Sequence, residues 1–128
     1  MNGASKVPAL VLTICVFACS SFMCENEVKQ KVTSPDSFWD AFLAVENCGA
    51  TTDYVTEIVV ASRGKSLRSA MGGGTVFVAT GLPQIIVRWE GPNRLVVRGQ
   101  VAEENVVTRT TRWHHIEIVY ENGGGGAT

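Results

Sequence analysis

Apolar side chains in this chain return at every second residue in several short runs, and no long run returns at every third and fourth. That constraint removes most helical folds. From Phe38 onward Trp39, Ala41, Leu43 and Val45 fall on one side while Asp40 and Glu46 fall on the other, the pattern of a half-buried strand. Asn47 to Thr52 interrupts it as a turn. In the next run, Tyr54 to Ala61, Val55, Val59 and Ala61 alternate with Tyr54, Thr56, Ile58 and Val60, and Glu57 is the polar exception. Two apolar faces predict a strand covered on both sides. Gln84 to Gln100 reads as a hairpin: Ile85, Val87 and Trp89 share a face, Gly91-Pro92-Asn93 turns, and Leu95 and Val97 resume the alternation against Val96 and Arg98.

The remaining segments fit the same scheme. Ser62 to Gly74 is rich in Ser, Gly and Arg, has no apolar period and is expected as a surface loop. Thr75 to Thr80 is a short strand broken by Gly81-Leu82-Pro83. Val101 to Thr111 is a turn with an edge strand. Trp113 to Glu121 is a closing strand, with His114, Ile116, Ile118 and Tyr120 facing one way. The expectation is an all-β domain over 36–121, a small antiparallel β-sandwich or strongly bent sheet of about six strands. A polar, lipid-anchored tether over 19–35 precedes it and a disordered Gly tail over 122–128 follows. At 128 residues there is little room for a second domain.

The amino terminus reads as an export address. One cation, Lys6, precedes an uncharged apolar run from Val7 to Ala18, too short to span a bilayer as a helix and suited to a signal peptide over 1–18. Val16-Phe17-Ala18-Cys19 resembles the box at which bacterial lipoproteins are cleaved and lipidated, so Cys19 is the expected lipidation site. Ser20 after it matches the outer-membrane choice, placing the protein in the bacterial cell envelope, facing the periplasm. Ordinary signal cleavage, giving a secreted or periplasmic soluble protein, and an uncleaved anchor remain open alternatives. With Cys15 discarded and Cys19 lipidated, Cys24 and Cys48 are left in an oxidising compartment, either as a disulfide or with Cys48 as a buried free thiol.

Eleven Lys and Arg against twelve Asp and Glu argue against nucleic acid as a partner. No nucleophile elbow, phosphate loop or Cys-x-x-Cys is present, and no cofactor is expected. His115 and Glu117 would project together from one strand and begin a zinc site, which supports a metal-assisted hydrolase as the alternative reading; further ligands would have to come from Asp40, Asp53 or Glu57. Arg88 and Arg98, on paired strands, form a potential anion patch. Trp39, Trp89 and Trp113 each sit in an alternating run and read as core residues.

Ser34-Pro35-Asp36, Cys48-Gly49-Ala50-Thr51-Thr52, Val76-Phe77-Val78-Ala79, Val87-Arg88-Trp89 and Leu95-Val96-Val97 together resemble a group of small bacterial exported proteins and lipoproteins with no established activity. The match covers most of 34–121, and Ser37 departs from it where the family usually has Gly. The resemblance implies export and a β fold and adds no catalytic residue. Cys48, Gly49, Ala50, Thr51, Thr52 and Asp53 form either a structural turn or a recognition loop. The sequence therefore predicts a non-catalytic binding module for an envelope protein or cell-wall material, of inhibitor or immunity type, attached to the membrane through a lipid anchor. A purely structural envelope component is a further alternative.

Overall fold

A computed structural model describes residues 24–49 and 51–122. Its elements are β1 (Glu25–Thr33), β2 (Trp39–Asn47), β3 (Val55–Ser62), the one-turn helix α1 (Leu67–Ala70), β4 (Thr75–Thr80), β5 (Ile85–Trp89), β6 (Arg94–Gly99), a 3-10 turn (Glu103–Asn105), β7 (Val106–Arg109), β8 (Arg112–Trp113) and β9 (Ile116–Glu121). They form two sheets, ordered β1-β2-β3-β4-β7 and β5-β6-β9-β8. The fold is an all-β sandwich, as the alternation predicts. Neighbouring strands are antiparallel except β6 and β9, which run parallel with Leu95 opposite Ile118.

Facing side chains fill the space between the sheets. Leu43, Ile58, Val60 and Phe77 from one meet Val87, Leu95, Val97 and Ile118 from the other. Ala41, Ile58, Leu95 and Ile116 are fully buried, and burial of such apolar surface is the main force holding the layers together.

Four expectations need correction. The tether over 19–35 is not all tether, because Glu25 to Thr33 is an edge strand paired with β2 from Glu25 opposite Asn47 to Thr33 opposite Asp40. Its charged, mostly exposed side chains hide the strand from any apolar pattern, and they also discourage edge-to-edge association. Secondly, β2 is buried on both faces. Its outer residue Phe42, with Val59 and Ala61 of β3, is covered by Leu67, Ala70 and Met71.

That cover is the third correction, since Ser62 to Gly74 folds back over the outer face. Its four-residue helix is too short to leave a period. Ser66 caps it by accepting a hydrogen bond from Ser69 N, and Asp40 holds the segment down. Asp40 Oδ2 accepts from Gly64 N at 3.1 Å and Oδ1 from Thr33 Oγ1 at 2.7 Å, so this buried carboxylate ties three segments together. Finally, the closing strand is broken. Trp113 pairs with Ile116 across a two-residue turn, and His114 takes a left-handed φ of 55°. Nine strands are thus described where about six were expected.

Candidate functional site

The two ends of the sandwich are built differently. At one end Trp39, the first residue of β2, meets Trp113 edge to face with ring centroids 5.4 Å apart, and His115 packs on Trp39 at 5.7 Å. The Trp113 indole donates to Gly73 O at 2.9 Å. The three Trp side chains are partly buried and pack against the core.

At the other end an open surface cleft of about 900 Å3 lies beside the start of β5. Leu43, Val45 and Ile85 lie at its floor and are already buried, and the apolar surface it exposes belongs chiefly to Leu82 and Ile86 at the lip. Gly99 allows β6 to pass close to the start of β5, and a methyl group there would run into Gln84 O.

Gln30 and Thr56 on the lining are already committed, while Gln84 and Gln100 are exposed. The Gln30 side-chain amide donates to Ile85 O at 3.0 Å and accepts from Val87 N at 3.1 Å. It therefore satisfies the open edge of β5 and fastens the two sheets, as does the Trp89 indole donating to Val32 O at 3.0 Å. Thr56 Oγ1 donates to Gly81 O at 2.7 Å. The charged groups on the lining are Lys29 and Arg98, and no carboxylate lies among them. Lys29 pairs with the exposed Glu27 at 3.2 Å, a contact worth little in water. Arg98 makes no ion pair among the described residues.

Arg88 and Arg98 do share the outer face of their sheet, since Ile86 opposes Arg98 and Arg88 opposes Val96. They do not act together. Arg88 is bound to Glu90 at 3.2 Å and Glu121 at 3.5 Å, so the anion patch reduces to Arg98 at the lip of the cleft. His115 and Glu117 are not gathered as the hydrolase reading requires. His115 sits in the turn before β9 against Trp39, and Glu117 lies 3.9 Å from Arg94 Nε.

Cys24 and Cys48 are joined by a disulfide. The bond closes the open end of the β1-β2 hairpin next to the Glu25–Asn47 pair. Of the described residues between β2 and β3, Cys48, Gly49, Thr51, Thr52 and Asp53 are not on the cleft lining. Gly49 has φ 131°, a conformation that favours glycine. Thr52 donates to Gly49 O from both N, at 3.3 Å, and Oγ1, at 3.1 Å. These contacts explain Gly49 and Thr52 as turn formers. Ala50 and Cys19 lie outside the described residues.

Sequence reasoning missed a carboxyl pair on the outer face of β2 and β3. Burial pushes Glu57 up to about 7, and Glu46 adds to the rise through a shared hydrogen bond and its own charge. Glu46 also gathers with Cys24 and Cys48 within 4.8 Å, but both sulfurs are spent on each other and offer no thiolate. The cleft was missed as well. Its single legible sign was Leu82, a large apolar residue in a Gly-Leu-Pro break, which is 57% exposed.

Comparison of the chain with known protein families, curated proteins and solved structures finds no match. The functional reading therefore rests on the geometry of the cleft.

Proposed function

We propose that the protein is a non-catalytic binding module of the bacterial cell envelope, lipid-anchored through Cys19 at the outer membrane and facing the periplasm. The cleft beside the start of β5 is its binding site, and its target is an envelope protein or another cell-envelope component. The observation that carries this reading is the cleft itself, with Leu82 and Ile86 exposed at its lip and Lys29 and Arg98 as its charged lining residues. The export-type amino terminus supports the location, and the Cys24–Cys48 disulfide is in keeping with an oxidising compartment.

Photocrosslinking from inside the envelope tests it. A benzophenone side chain at Leu82, on the lip of the cleft, is expected to give one stoichiometric adduct. The same group at Val107, exposed on β7 and outside the cleft lining, is expected to give none. Identical adducts from both positions, or adducts with abundant porins alone, would overturn the assignment. Intact mass of the envelope-extracted protein checks the anchor, which requires a chain that begins at an acylated Cys19.

A further inference from the structure

We propose, beyond the cleft reading and independent of it, that the Trp39 end carries a second binding site, a pocket for a sugar ring that bears a carboxylate. β4 begins at Thr75, opposite Val59, so the last residues of β3 run past it and meet the glycine run instead, with Val60 N donating to Gly74 O at 2.8 Å. A pocket of about 330 Å3 lies there, at the small end of ligand sites. Val60 and Ala70 at its floor are buried. The surface left to a ligand belongs to the half-buried Trp39 and Trp113 and to the exposed Ser62, Lys65, Ser69 and His114. Trp113 is held by its bond to Gly73 O, itself on the lining, so the aromatic wall is fixed before a ligand arrives.

The wall selects for the ring. A pyranose has a face of C–H bonds, which suits the negative face of an indole, and hydroxyls at its edge that need hydrogen-bond partners. Trp39 and Trp113 supply the first, and Ser62, Ser69 and His114 supply the second. His114 is one of two non-glycine residues with a left-handed backbone among the described residues, at φ 55°, and its imidazole lies 4.2 Å from the Trp113 ring. Such a conformation persists only where the surroundings impose it, and functional sites are among those places.

The flap beside the wall selects for the charge. Ser62 to Gly74 holds Arg63, Lys65 and Arg68 and no Asp or Glu, although the whole chain is slightly acidic. None of the three makes an ion pair among the described residues. Lys65 lies on the pocket lining, which includes no carboxylate. The acids near Trp39 in the chain are spent, since Asp36 accepts from Ser34 Oγ and Phe38 N, and Asp40 accepts from Thr33 Oγ1 and Gly64 N. A segment with uncompensated positive charge draws an anionic ligand to the wall beside it.

Titration of the purified full chain with methyl glucuronide, methyl glucoside and acetate, followed by the indole N–H signals in NMR spectra, separates ring from charge. Methyl glucuronide is expected to move the Trp39 and Trp113 signals and to leave that of Trp89, which is bonded to Val32 O outside the pocket. Methyl glucoside is expected to move the same two signals with about tenfold weaker binding, and acetate to move none. Lys65→Glu is expected to bring methyl glucuronide down to the level of the glucoside and to leave the melting temperature within about 2 °C, since Lys65 is exposed. His114→Gly, which keeps the left-handed turn without the imidazole, is expected to weaken both sugars at an equal or higher melting temperature. Equal binding of the two sugars, unchanged by Lys65→Glu, would overturn the acidic sugar and leave a site for neutral ones. Acetate binding as tightly as methyl glucuronide would overturn the ring. Indole signals unmoved by all three ligands would overturn the site. The cleft reading is decided separately, by the Leu82 adduct.

Discussion

The two ends of this sandwich start from the same inward-facing pattern on β2 and finish differently. At the Trp39 end the spacing is filled by indole and imidazole rings, and Trp113 is tied by its N–H to Gly73 O. At the Val45 end Val45 and Thr56 are buried without aromatic rings, and the cleft lies outside them against the exposed Leu82 and Ile86. Two sheets packed face to face are separated by about 10 Å, and side-chain volume alone stops the ends. The cleft owes its exposed wall to Leu82 and Pro83 in the connection between β4 and β5.

The largest effect should come from pulling the stopper. Trp39→Ala is expected to cost about 3 to 4 kcal/mol in urea unfolding, because the lost ring takes its edge-to-face contacts from Trp113 and His115. Loss of less than about 1 kcal/mol would erase the distinction between the ends. Next comes the disulfide at the open end. Cys24→Ser with Cys48→Ser is expected to cost about 3 kcal/mol, for a bridge spanning a sequence separation of 24, and reduction of the parent protein should lower the melting temperature in the same direction.

On the outer face beneath the cleft end, Glu57 gives a pH-dependent comparison. Its folded value is raised to about 7 from 4.5, so the folded state holds the proton more tightly than the unfolded chain. The stability this contributes is fully present below pH 4.5 and is lost as pH rises through 7. Glu57→Gln, which keeps the neutral shape, is expected to gain about 2 kcal/mol over the parent at pH 8 and almost nothing at pH 4. Equal gains at both pH values would show that charge is not the cause. The smallest effect belongs to the cleft end: Val45→Ala should cost about 1 kcal/mol, since it removes only two methyl groups from a residue at the edge of the buried core. A cost matching that of Trp39→Ala would show that the cleft end is as tightly built as the other.

Legibility followed burial. The inward faces of β2, β3, β5, β6 and β9 were readable because apolar side chains must alternate when one face meets a core. β1 was unreadable because its strand identity comes from pairing with β2 and from Gln30 bonded to β5, neither of which leaves an apolar residue behind. Asp40 was read as solvent-facing by the same rule, which has no information about a later segment folding over it. For the candidate site, Arg98 was picked out by its place on the hairpin, while its solitude depended on Glu90 and Glu121 choosing Arg88. Lys29, Gln30 and Leu82, far apart in sequence, met at the cleft only through the stacking of the sheets.

The sequence alone determined that the chain forms strands, where its main turns fall and which face of most strands is apolar, because these follow from local alternation and from Gly, Pro and Asn at the breaks. Tertiary structure decided the parallel β6-β9 pair, the double burial of β2, the plugged end and the open one. These depend on which strands meet across long stretches of chain, and a two-residue period marks a face without naming its partner.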